Sequence, residues 1–142
     1  MKEYTYSDIK IGLTESFRHV VSKDDEDCFR ELTGDVNPMH YDDDFASEIS
    51  GGRLEKHVCF GMLTASLLST LAGVYIPGKY SMIHSIDTIS FHNPVYVGEE
   101  LTITGEVIDK SDAINLIVVN VRIVNSSNKT VMKARMKIIV QR

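Results

Sequence analysis

A chain of 142 residues with 43% apolar and 25% charged side chains has the make-up of one folded domain, 1–142, able to bury about two thirds of its unfolded surface. That balance excludes disorder, and a net charge of −5 excludes the basic face that a nucleic-acid partner requires. No stretch approaches the roughly 20 apolar residues of a membrane span, and the opening MKEYTYSDIKIG has no signal-peptide core, so a cytoplasmic protein with Cys28 and Cys59 reduced is expected.

In chain order, residues 13–21 read as a first strand, with Leu13, Phe17 and Val21 on one face. Ser22 comes next as a helix N-cap, with Asp25 three residues on to close a capping box. The helix runs to about Thr33, where Gly34 stops it, and Cys28, Phe29 and Leu32 are its expected apolar stripe. Residues 35–40, DVNPMH, are a turn, because the residue before Pro38 is pushed out of the helical region. A short helix is expected from Asp42 to Ile49. The joint Ser50-Gly51-Gly52 and a loop over 53–60 come next.

Residues 61–78, GMLTASLLSTLAGVYIPG, organise the rest. Almost no polar face interrupts Met62, Leu63, Ala65, Leu67, Leu68, Leu71, Ala72 and Val74, and Pro77-Gly78 is a hard stop. A helix apolar nearly all round is buried, and the small hydroxyls on it can bond back to its own backbone. The chain beyond Gly78 is strand-like: 80–92 with Ile83, Ile89 and Phe91 on one face, 101–109 in clear alternation, then 114–124 and 130–141. Short turns between consecutive strands make them antiparallel. A sheet wrapped around one helix, an α+β arrangement, is the expected architecture. The sequons at Asn125 and Asn128 fall in the last turn and read as turn residues.

Two features carry chemistry. Asp35 and His40 sit on a turn-restricted segment, where a carboxylate and an imidazole can share proton transfer near neutral pH. The same residues also read as caps, with Asp35 and Asn37 closing a turn and His40 starting the next element. Gly61 heads the buried helix, whose free N–H groups and partial positive charge can hold a developing oxyanion. Equally, Gly61 reads as a close approach between helix and sheet. Taken together, the parts suit adding water to, or removing it from, an activated double bond. His57 and Cys59 lack a second pair with ligand spacing, so no metal is expected. His84 and His92 read as packed or surface strand residues. Arg53, Lys56 and Lys79 read either as phosphate contacts or as solvated loop charges.

The segment Asp35-Val36-Asn37-Pro38-Met39-His40, after Leu32-Thr33-Gly34, resembles the D-x-N-P-x-H motif of the MaoC-like (R)-specific enoyl-CoA hydratases and dehydratases. Gly61-Met62-Leu63-Thr64-Ala65-Ser66-Leu67 resembles the family's central-helix signature. Phe91-His92-Asn93-Pro94-Val95 and Val97-Gly98-Glu99-Glu100-Leu101 resemble its strand-turn-strand segment. The likeness covers roughly residues 8–142. It implies a hot-dog fold, a long helix wrapped by a curved antiparallel sheet, and a homodimer. The implied activity, in fatty acid metabolism, is a hydro-lyase reaction: reversible hydration of trans-2-enoyl to (R)-3-hydroxyacyl thioesters. The carrier would be coenzyme A or acyl carrier protein, arriving as part of the substrate, with no other cofactor. Carried over by position, Asp35 and His40 would activate water and deliver the proton, and the Gly61 amide would hold the thioester oxygen. Asn37 would support the loop, and Phe60 and Met62 would meet substrate. The family has a histidine before the helix glycine where this chain has Phe60, and the loop GGRLEKHVCFG is about two residues longer. That departure suits an unusual acyl substrate, and His57 is a candidate to stand in. An acyl thioesterase on the same fold, or an acyl-binding module without catalysis, are the alternatives.

Overall fold

A computed structural model describes all residues 1–142. The first strand, β1, is Thr14–Val20, and the first helix, α1, is Lys23–Thr33. A 3-10 turn, Pro38–His40, and a second helix, α2, Asp43–Ile49, precede the central helix. That helix, α3, is Gly61–Thr70, and it continues as a wider π turn over Leu71–Tyr75. Four more strands complete the chain: β2 Ser81–Phe91, β3 Glu100–Ser111, β4 Leu116–Val124 and β5 Thr130–Val140. The five strands form one antiparallel sheet in the order β1-β3-β4-β5-β2. The hot-dog arrangement expected from the sequence is therefore the observed one. No helix is long and apolar enough to cross a membrane.

Period-two alternation builds the sheet's inner face. Leu101, Ile103 and Val107 of β3, Val119 and Ile123 of β4, and Met136 and Ile138 of β5 are each fully buried. Leu68, Leu71 and Ala72 of the central helix complete this core. Burial of each large side chain stabilises the fold by roughly 1.5–3 kcal/mol. Gly105 sits where β3 passes closest to the helix; a Cβ there would lie 2.8 Å from Leu71 Cδ2, so only glycine fits without repacking. Residues 2–6 strap the far end of the helix. The Lys2 amide donates to the Val74 carbonyl at 2.7 Å, and the Tyr4 amide donates to Pro77 at 3.1 Å.

Three expectations need correcting. The central helix does not run as one α-helix to Ile76; it loosens into the π turn at Leu71, a change of winding that composition does not encode. Its exposed stripe is Met62, Ser66 and Ser69, and the Ser66 hydroxyl donates back to the Leu63 carbonyl at 2.7 Å. The face of β2 does not alternate simply either. Irregularities between Ile83 and Ser85 and between Ile86 and Thr88 reset its phase, leaving Ile83 and Phe91 partly exposed while Ile89 packs against the core.

Helix α1 forms for the expected reasons. The Asp25 amide donates to Ser22 Oγ, the Ser22 amide donates to Asp25 Oδ2, and Gly34 adopts a left-handed φ of 70° at the C-terminus. The face it buries is not the expected one. Cys28 and Leu32 are exposed, and the residue with no exposure is Glu26. Arg30 and Phe29 share its side of the helix and pack on the aromatic ring of Phe60.

Candidate active site

The site begins with the turn 35–40, which its own side chains hold together. Asp35 Oδ1 accepts from the Asn37 amide at 3.0 Å, and Asn37 Oδ1 accepts from the Met39 amide at 3.0 Å. These two Asx contacts, with Pro38 at the first position, turn the chain into the 3-10 segment that ends on His40. His40 Nδ1 lies 2.8 Å from the Val58 carbonyl oxygen. A carbonyl can only accept, so Nδ1 carries the hydrogen, and in the neutral ring the lone pair is on Nε2.

His40 faces a cavity of about 310 Å³ that it shares with Gly61. Val58, Cys59, Thr64, Val95 and Val131 give the cavity its small, largely apolar walls, and Phe91, His92 and Asn93 form another side. Gly61 opens α3, and no side chain caps that end. The Leu63 and Thr64 amides both turn back to the Phe60 carbonyl, at 3.1 and 3.3 Å. The first amides of the helix are thus left to whatever enters the cavity. A Cβ at position 61 would approach the Phe91 ring to 3.2 Å, so the close approach of helix to sheet expected at this glycine is observed.

The other expected site residues lie elsewhere. Asp35 and Asn37 are exposed on the turn and are not part of the cavity wall. Met62 is 59% exposed and is not part of the wall. Phe60, expected to meet substrate, is instead 2% exposed and lies beneath His40, ring centroids 4.2 Å apart. Its bulk supports the imidazole from behind, as the start of a buried helix requires. His92, expected as an ordinary strand residue, lines the cavity instead, with Nε2 2.9 Å from the Ser90 hydroxyl. It follows the end of β2 at Phe91, so strand alternation does not set its side. Arg53 donates to the Ser50 carbonyl at 2.8 Å and Lys79 pairs with Glu3 at 3.2 Å, so neither points to a ligand.

His57 lies on the other side of the 53–60 loop. Its ring Nδ1 and its backbone amide meet Asp43 Oδ1, at 2.6 and 2.8 Å. The amide, then the ring, hold the Asp43 carboxyl below its usual range. Cys59 is buried, and that burial, with the neighbouring Glu26 carboxylate as the second cause, pushes its thiol far up. It is a wall of the site and not a nucleophile. Both cysteines are free.

A family model described as MaoC like domain matches residues 8–129. This chain belongs to the MaoC-like family. Among curated relatives, a 3-hydroxybutyryl-CoA dehydratase of Methylorubrum extorquens is 33% identical over 102 residues, 72% of this chain and 62% of the relative. An (R)-specific enoyl-CoA hydratase of Aeromonas caviae is 43% identical over 80 residues, 56% of this chain and 57% of the relative. The matched region thus spans less than two thirds of either relative's length. The solved structure of the A. caviae (R)-hydratase covers 93% of this chain and 97% of its own, with a TM-score of 0.84 at 27% identity. The MaoC-like fold is shared further with R-hydratase PhaJ1 of Pseudomonas aeruginosa, at a TM-score of 0.85 and 24% identity over 96% of this chain and 84% of the other.

Proposed function

We propose that the protein is a hydro-lyase that interconverts trans-2-enoyl and (R)-3-hydroxyacyl thioesters in the cytoplasm. One observation carries the reading: the imidazole of His40, its tautomer set by the Val58 carbonyl, and the uncapped start of α3 at Gly61 share one small apolar cavity. In the hydration direction His40 Nε2 accepts a proton from water as its oxygen attacks C3 of the enoyl group. Negative charge moves onto the thioester oxygen, which the Gly61 amide and the helix N-terminus receive. The proton taken up by His40 is then delivered to C2, which returns the imidazole to its neutral form, and Asp35 is the second group assigned to this proton traffic, with Asn37 holding its turn. Met62 is assigned to substrate from the exposed stripe of α3.

The substrate brings its own carrier, coenzyme A or acyl carrier protein, and the reaction uses no further cofactor. Asp35 and Met62 lie outside the wall formed by a single protomer, so we assign the working form as a homodimer that completes the site. The outer edge strand β2, with Met82 54% and Phe91 52% exposed, supports that assignment. The acyl-binding alternative without catalysis draws on Phe60; packed beneath His40, that ring leaves the cavity open.

The test uses crotonyl-CoA and the purified protein, following loss of the enoyl absorbance, thiol release and the configuration of the product. The expected result is an (R)-3-hydroxy product without thiol release, with turnover falling about 10²- to 10⁴-fold in His40→Ala while the circular dichroism is kept. Thiol release dependent on His40 would instead make it a thioesterase. Turnover unchanged in His40→Ala would overturn the mechanism.

A further inference from the structure

A buried polar cluster sits behind the cavity, and the mechanism above does not use it. Glu26 has no exposure, and neither of its carboxylate oxygens has a hydrogen-bond partner. An unpaired buried carboxylate costs several kcal/mol, so such a group marks something retained at a cost in stability. The nearest imidazole nitrogen is His57 Nε2, 3.6 Å from Glu26 Oε2. The other ring nitrogen of His57 is already bound to Asp43 at 2.6 Å. His57 therefore bridges α1 and α2, one carboxylate on each side. Arg30, one turn after Glu26, donates to the His40 carbonyl at 3.3 Å and pairs with Asp27 at 3.0 Å through its terminal nitrogens, while its Nε is buried without a partner.

The residues after His57 give the bridge its meaning. The next one is Val58, whose carbonyl accepts from His40 Nδ1. The Val58 amide donates to the Met39 carbonyl at 3.1 Å, and the Cys59 amide donates to Val95 at 2.8 Å. The three residues 57–59 are thus stitched in turn to α2, to the catalytic turn and to the loop before β3. Apart from the His40 contact itself, the side-chain anchoring of this run is at His57. We propose that His57, clamped between Asp43 and Glu26, is a positioning residue that fixes the Val58 carbonyl and, through it, the tautomer and orientation of His40. The hydrogen bond to Asp43 at 2.6 Å and the longer contact with Glu26 at 3.6 Å restrain the ring from two sides, which a single contact in a loop does not. Its value for catalysis rests on the hydratase reading; the geometry it sets does not.

The experiment measures both separately. Protein labelled with ¹⁵N in histidine, with His40 assigned by comparison with His40→Gln, reports which imidazole nitrogen carries hydrogen. In the wild type the expected signature is the Nδ1–H form. In Glu26→Gln, which keeps shape and removes the charge, and in His57→Ala, His40 is expected to shift to a mixture of tautomers. With crotonyl-CoA, kcat is expected to fall at least about tenfold in Glu26→Gln with KM nearly unchanged. A His40 signature identical to wild type in Glu26→Gln overturns the proposal, even if kcat falls, because the cluster is then only structural. Should His57→Ala not fold, Glu26→Gln alone decides. A wild type that does not hydrate crotonyl-CoA counts against the function proposed above, while the tautomer measurement still decides this one.

Discussion

The sheet body and the segment 35–60 are held by different forces. In the body, β3, β4 and β5 press rows of fully buried aliphatic side chains onto Leu68 and Leu71, and no single hydrogen bond decides the arrangement. In the segment 35–60, individual polar contacts decide it: Asp35 to Asn37, Asn37 to Met39, His40 to Val58, and His57 to Asp43. Its apolar side chains are divided: Val36 and Ile49 are 67% and 64% exposed, while Ala46, Cys59 and Phe60 are buried. The comparison teaches that stability and chemistry are stored apart. Damage to the body should lower stability with the site unchanged, and damage to the segment should alter the site with stability nearly kept.

Leu71→Ala is the strongest test on the body side. It removes a fully buried side chain next to Gly105 and should lower unfolding free energy by about 2–5 kcal/mol in urea titrations. Turnover per folded molecule should stay at the wild-type value; a matching loss of kcat would break the separation. Ser22→Ala is smaller. It removes the hydroxyl that accepts from the Asp25 amide and should cost about 1 kcal/mol, read from the same titrations. A larger loss would mean that α1 contributes more to the body than its exposed stripe suggests.

The smallest effect is a pH dependence in the loop. His57 holds the Asp43 carboxyl below its ordinary value. A lowered folded-state value stabilises the protein above the unfolded value of about 3.9, and that contribution is lost as pH falls through the folded one. Unfolding midpoints taken from about pH 5 downward should therefore fall less steeply in Asp43→Asn than in the wild type. Parallel curves would remove Asp43 from the anchor.

The difference also explains which features are legible in the residues alone. The capping box at Ser22, the stop at Gly34, the alternation of 101–109 and the helix opening at Gly61 are local rules, and each appears where the residues place it. Glu26 is hidden because a charged residue turned inward on a helix is recognised only through what surrounds it, and here that is His57 and Cys59, distant in sequence. His92 is hidden for a related reason: it follows the last residue of β2, and its place on the cavity wall depends on residues 58–64, 95 and 131 gathering there. Phe60 is legible as a departure from the family pattern, but its place beneath His40 requires the fold.

The strap of residues 2–6 has a practical side. It crosses the helix at Val74 and Pro77, whereas the cavity lies at Gly61, so the two are separated by the length of the helical segment, about 20 Å. Met1 is 76% exposed at the strap's outer end. An affinity tag, a fluorophore or a surface linker attached ahead of Met1 would leave from the end opposite the cavity, so the protein can be immobilised there with its mouth unobstructed.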